Sequence, residues 1–324
     1  MANHVNIGIL AGDMPGEGKY EGWEKNLSAM KAYWEEGFHR LAPDCPDIIL
    51  LPETCTMINR MGKKEEQDYY LHAMGLFQGY FADWAKTLGC IVMYGSIRMD
   101  AEGRKRNSIL TLGKNGQLIG AYDKVFPTIW EMEDDGIIPG DRGTVTETGR
   151  LKAGYAICFD LNFDELRESY REQRPDAIFF SSVFHGGLMQ ANWAFSTRSH
   201  FISSVRGMPS AIISPVGEIL AGTTNYTPYC CRRINTDCAV IHLDYNIHKF
   251  KDIKKKYGQR ISLSDPGHLG SVLLACEDDN PGVRYILDEY ELMLLDDYLD
   301  KARAIREKAG GTLTGIDPGS SLFQ

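Results

Sequence analysis

The sequence predicts an α/β layered fold, with either one mixed sheet or two packed sheets. Three observations carry that expectation. Short apolar runs alternate with longer amphipathic segments through the first half of the chain, the same alternation returns in the second half, and Gly-containing turns join pairs of extended runs. With 324 residues, 43% of them apolar and 24% charged, the chain is long enough for one large domain or two ordinary ones around a buried core.

In chain order, residues 4–11 (HVNIGILA) read as a strand, and 25–41 carry Leu27, Met30, Tyr33, Trp34 and Phe38 at helical spacing. Residues 47–51 (DIILL) are a continuous apolar run too short for a helix, so they predict a strand buried on both faces and stopped by Pro52-Glu53. Residues 65–88 are helical in pattern and 90–98 (CIVMYGSIR) extended, while 108–113 and 117–122 form strands about a Lys-Asn-Gly turn. In the second half, 153–158 (AGYAIC) is a strand leading into a helical segment at 163–171, and 176–183 (DAIFFSSV) is another buried strand. Residues 190–205 suit a helix, 208–214 and 218–221 flank a Pro-Val-Gly turn, and 239–243 closes the set. These elements predict a first domain over 1–264. Beyond it, Asp265-Pro266-Gly267 and Asn280-Pro281-Gly282 punctuate the chain, and 285–308 reads as one long helix before a Gly-rich end. Residues 265–324 are therefore expected to be a C-terminal extension, an appendage that docks on its own subunit or on a partner.

Charge and composition exclude several classes of function. Lys and Arg number 35 against 44 Asp and Glu, a net charge of -9, and the sole basic run is the short KDIKKKYGQR at 251–260, so nucleic acid is not an expected partner. No stretch approaches the roughly 18–20 apolar residues of a membrane span, and the first residues lack a secretory signal's charged and apolar regions, so a cytoplasmic protein is expected. Eight cysteines occur without a CxxC pair or a His-rich cluster, which predicts reduced thiols and no zinc.

Ligands of α/β sheets collect beyond the carboxyl ends of strands, and three reactive side chains follow extended runs there. Glu53 follows DIILLP, Lys124 follows QLIGAYD, and Cys158 ends AGYAIC. Singly, each has a bland reading: a cap or ion pair, a solvated charge and a core thiol. Together they supply a base, a cation for a developing oxyanion and a sulfur nucleophile, the three groups that attack on a carbonyl needs. A helix following Cys158 would further favour its thiolate.

The segments LLPETCT, YDKVFP and AICFDLNFDELR, at intervals of 71 and 34 residues, resemble the three signature segments of the nitrilase (carbon-nitrogen hydrolase) superfamily. Flanking matches, among them PGD at 139–141, FFSSVF at 179–184 and ISPVGEILA at 213–221, extend the resemblance over about residues 4–250. The resemblance implies a four-layer αββα sandwich and a triad of Glu53 as general base, Lys124 as oxyanion stabiliser and Cys158 as nucleophile. It implies a second active-site glutamate at Glu133, with Glu131 as competitor, and an oxyanion contact from the Phe159 backbone. Asp160 matches a Cys-x-Asp pattern closer to amidases and carbamoylases than to true nitrilases. The expected activity is hydrolysis of a small amide or ureido compound without metal or cofactor, the alternatives being a true nitrilase or a non-catalytic protein on the same fold. Trp130, Glu131, Phe184, His185 and Trp193 are candidate substrate contacts, and the resemblance implies a homodimer or larger homo-oligomer. The arginine usual after the cysteine motif is replaced here by Glu168, with Arg167 one place early, which leaves the pocket wall open.

Overall fold

Residues 2–13, 21–58 and 62–311 are described by a computed structural model. Its contacts divide them into two units, 2–237 and 238 onward. The first unit runs β1 (His4–Leu10), α1 (Trp23–Leu41), β2 (Ile48–Leu50), α2 (Lys63–Leu88), β3 (Ile91–Met99), β4 (Lys105–Leu112), β5 (Leu118–Asp123), α3 (Ile129–Glu133), β6 (Val145–Glu147), β7 (Lys152–Ile157), α4 (Asp164–Gln173), β8 (Ala177–Ser182), α5 (Met189–Thr197), β9 (His200–Val205), β10 (Ala211–Ile213), β11 (Ile219–Gly222) and β12 (Tyr229–Asn235).

The strands form two six-stranded mixed sheets, in the orders β12-β1-β2-β3-β4-β5 and β11-β10-β9-β8-β7-β6. Successive side chains on a strand face opposite ways, and here both faces are apolar. In the first sheet Ile48, Leu50, Ile91 and Met93 turn toward Tyr155, Ile157 and Phe179 of the second, while Ile49, Val92 and Tyr94 turn outward onto Trp34 and Phe38 of α1 and Phe77 and Phe81 of α2. On the far side Ile178, Phe180 and Phe201 pack against Tyr170 of α4 and Trp193 of α5. The result is helices, sheet, sheet and helices, the expected αββα sandwich. Each of these buried side chains stabilises the fold by about 1.5–3 kcal/mol. Serines tie the two sheets at one end: Ser181 Oγ donates to Leu51 O at 2.8 Å and Ser204 Oγ to Leu10 O at 2.6 Å.

Three strands of this unit, β6, β9 and β12, are absent from the elements expected of the sequence. The segment 190–205 is not one helix, because α5 stops at Thr197, where Arg198 adopts φ 57° and closes the last turn. The next stretch, HFISSV, is β9, buried along its whole length between β8 and β10. β12 pairs antiparallel with β1 over seven residues.

The unit from 238 contains β13 (Cys238–His242), α6 (Phe250–Tyr257), β14 (Ile261–Ser264), β15 (Ser271–Cys276), α7 (Val283–Glu289) and α8 (Leu295–Lys308). Its antiparallel sheet, in the order β13-β15-β14, encloses its own core of Ile241, Ile253, Ile261, Val272, Leu274 and Ile286. By contacts the division thus falls before 238 instead of after 264: β13, α6 and β14 share a core with β15 and α7, so the tail is more than an appendage. The single helix expected over 285–308 is broken between α7 and α8. Buried Asn246 takes over the backbone there, its Oδ1 accepting from Met293 N at 3.1 Å and its Nδ2 donating to Met293 O at 2.9 Å. Of the Gly-rich end, residues from 312 lie outside the described chain.

Candidate active site

Strand direction brings the predicted residues to one edge. β1, β2 and β3 run parallel, β4 returns and β5 runs forward again, so the ends of β2 and β5 and the start of β4 share an edge. These positions carry Glu53, Lys124 and Asn107. In the second sheet the parallel β7 and β8 end at Ile157 and Ser182, which places Cys158 and Val183 there, and the bond from Ser181 to Leu51 holds the two edges together.

Lys124 Nζ donates to Glu53 Oε1 at 3.0 Å and to Glu131 Oε2 at 2.8 Å. Asn107 Nδ2 bridges the same carboxylates, at 2.8 Å from Glu53 Oε1 and 2.7 Å from Glu131 Oε1. Val183 N donates to Glu53 Oε2 at 3.0 Å. Burial alone would push the Lys124 ammonium toward neutrality, but the charges of Glu53 and Glu131 and the hydrogen bond to Glu131 outweigh it and raise its pKa, so it stays charged. Burial likewise works against the Glu131 carboxylate, and Lys124, the Thr128 amide and Asn107 reverse the effect and hold it below the usual range.

Cys158 lines the same cleft as Glu53, Lys124 and Glu131, a cavity of about 330 Å³. Burial pushes its thiol up to about 12, Glu53 adds to the shift, and Lys124 and a hydrogen bond with Ser182 oppose it. The expected thiolate is therefore not the resting form. Cys158 opens a five-residue 3-10 turn, Cys158–Asn162, and the α-helix begins only at Asp164, so no long run of aligned peptides points at the sulfur. The residue sits at φ 46°, a region that non-glycine residues seldom occupy. Asp160 fastens the turn: it accepts from Ile157 N at 2.8 Å, Phe126 N at 2.8 Å and Tyr122 Oη at 2.7 Å, tying it to the strand that delivers Lys124. Burial pushes the Asp160 carboxyl up to about 6 despite these donors.

The family model described as carbon-nitrogen hydrolase matches residues 19–235, two-thirds of the chain. The chain belongs to this family. Among curated relatives, the hydrolase is 22% identical to the omega-amidase NIT2 of Homo sapiens over 233 residues, covering 64% of this chain and 80% of the relative. It is 25% identical to the omega-amidase NIT2 of Xenopus tropicalis over 198 residues, covering 54% and 71%. Among solved structures, the carbon-nitrogen hydrolase from Helicobacter pylori G27 superposes with a TM-score of 0.61 at 14% identity, covering 79% of this chain and 93% of the other. The fold and the family are thus those of the nitrilase superfamily.

The residues predicted to bind substrate or assist catalysis in the hydrolase separate into two groups. Glu131, and not Glu133, joins Lys124. The Thr128 side chain accepts from Glu131 N at 3.2 Å while Glu131 Oε2 accepts from Thr128 N at 2.7 Å, a capping box that turns Glu131 into the cleft. Two residues on, about 200° around the helix, Glu133 is exposed and outside the cleft lining. Trp130, Phe184 and Phe159 are exposed and His185 half-buried, and the cleft lining includes none of them. Trp193 is a core residue: wholly buried, it donates through Nε1 to Leu161 O at 3.1 Å. Sequence reasoning missed Asn107, Thr128, Tyr70 and Arg206, which do line the cleft. Asn107 gave no local signal: it sits among the polar residues Lys105, Arg106 and Ser108 that begin β4, and only the hairpin register sets its carbonyl 2.8 Å from Lys124 N.

Proposed function

We propose that this hydrolase cleaves a small amide or ureido compound through a thioester on Cys158. The observation that carries the reading is the meeting of a buried Glu53–Lys124 pair, 3.0 Å apart, with Cys158 in one cleft. Because the resting sulfur is a thiol, attack requires a base, and Glu53 accepts its proton as Sγ bonds to the carbonyl carbon. The carbonyl π pair moves onto oxygen. An ammonium has three protons to donate; two are directed at Glu53 and Glu131, and the third faces the oxyanion together with the Phe159 amide. When the oxyanion collapses, the C–N bond breaks and the nitrogen leaves with the proton held by Glu53, as ammonia or an amine. Water then gives a proton to Glu53 and its oxygen to the thioester carbon, and Cys158 is released as a thiol with the acid product. Glu131 has a distinct part: it keeps Lys124 charged while Glu53 is neutral.

The names of the human and frog relatives favour an amide over a nitrile, and the cleft volume suits a small substrate. We further read the chain as a cytoplasmic homo-oligomer, which a gel-filtration mass near one subunit would contradict. The direct experiment measures ammonia or amine released from panels of ω-amides, N-carbamoyl amines and N-carbamoyl amino acids. Wild type turns over at least one class and Cys158→Ala none of it; equal turnover by the variant defeats the reading.

A further inference from the structure

The short segment that delivers Glu53 is held in a conformation it would not choose alone. Thr54, next to Glu53, has φ 48°. For a β-branched residue this is a strained backbone, which persists only where surrounding contacts fix it. Those contacts come from four directions. Cys55 N donates to Gly95 O at 2.9 Å, and Trp34 Nε1 donates to Cys55 O at 2.8 Å. Tyr69 Oη donates to Thr56 O at 3.1 Å, and Thr56 Oγ1 and Ser96 Oγ share a hydrogen bond at 2.9 Å. Arg206 Nη1 donates to Thr54 Oγ1 at 3.3 Å.

Beneath the segment lies Gly95 of β3. A Cβ there would stand 2.6 Å from both Glu53 Cα and Pro52 O, and 3.0 Å from Thr54 N. All three atoms are backbone, so no side-chain rotation relieves the clash. We infer that Gly95 and Arg206 are positioning residues that clamp the strained 52–55 segment and thereby set the aim of Glu53, the general base of the reaction proposed above. Gly95 lets the segment lie directly on β3, and Arg206 grips it from the end of β9. Neither residue reacts. The inference rests on the proposed role of Glu53 and is tested separately from it.

Gly95→Ala lifts Glu53 away from Lys124, Asn107 and Val183. A displacement on the order of 1 Å at a reacting group costs about 10²-fold in rate. The first measurement is the crystal structure of Gly95→Ala: the Glu53–Lys124 contact, 3.0 Å in the native chain, opens beyond hydrogen-bond reach, and a contact retained at its native length overturns the inference. The second is the rate of Cys158 acylation by ω-amides, followed by mass spectrometry for Gly95→Ala, Glu53→Gln and the double variant. The expected result is about a 10²-fold loss from Gly95→Ala, with kcat falling and KM little changed, and no further loss when it is added to Glu53→Gln. Multiplying losses would assign Gly95 a merely structural role and refute the inference. Thr54→Val, which keeps the shape but removes the Arg206 contact, covers the case in which Gly95→Ala does not fold: acylation slows about fivefold, as loss of one hydrogen bond implies, and an unchanged rate contradicts the clamp. If Glu53→Gln itself acylates at the native rate, the proposed role of Glu53 fails instead, and the crystal structure still decides whether Gly95 positions it.

Discussion

At the floor of the cleft Lys124 is 1% exposed and Glu53 3%, whereas nearby Trp130 is 62% and Phe184 52% exposed. The floor is fixed by strand ends, paired charges and backbone donors. The exposed aromatics are held by little beyond their own loops: the Phe184 amide donates to Ser182 Oγ at 2.8 Å, and Trp130 stands on a helix of five residues. A group that must attack or transfer a proton has to be placed to a fraction of an ångström, and the rigid sandwich achieves this. The contrast teaches that the proposed chemistry belongs to the part of the site the fold constrains, while Trp130 and Phe184, outside the cleft lining, are left unconstrained by it.

The sharpest way to break that contrast is Glu53→Gln. Loss of the base lowers hydrolysis by about 10²–10⁴-fold. Iodoacetamide alkylation of Cys158 should move the other way, because the variant removes a carboxylate that pushes the thiol up. In the wild type the thiol, at about 12, lies above the whole accessible range. Alkylation therefore rises about tenfold per pH unit from about pH 7 to about pH 9, without a plateau. A plateau near neutrality would mean a resting thiolate.

Lys124→Met is expected to lower turnover by about 10²–10³-fold through loss of the oxyanion donor. It also leaves the buried Glu53 and half-buried Glu131 carboxylates without their shared cation, at a cost of about 3–5 kcal/mol in folding stability. Adding Glu131→Gln restores much of that stability in denaturant unfolding without restoring turnover. Recovery of both would reduce Lys124 to a structural ion pair. The smallest effects belong outside the floor, where Trp130→Ala and Phe184→Ala change kcat/KM for the smallest amides by no more than about threefold. Larger losses on bulky amides would mark them as specificity residues.

Glu53, Lys124 and Cys158 were legible because each follows an extended run, and parallel pairing of β2 and β7 with their neighbours, together with the return of the chain through β4 into β5, carries these ends to one edge. The choice between Glu131 and Glu133 was not legible, since it turns on the phase of a five-residue helix set by the Thr128 cap. β9 was hidden because Phe201, Ile202 and Val205 continue the apolar spacing of the helix before them, although Arg198 has already reversed the backbone. Arg206 comes directly after that unseen strand and reaches the cleft only through tertiary packing, with no local pattern to announce it.

The central claim is a covalent one, that the acyl group of an amide comes to rest on the sulfur of residue 158. The most direct measurement is the intact mass of the protein quenched during turnover of an ω-amide, followed by peptide mapping. The predicted result is a mass increase equal to the acyl group on the peptide containing Cys158, absent from Cys158→Ala and discharged by hydroxylamine. Continued product release with no acylated Cys158 at any time of quenching would contradict it.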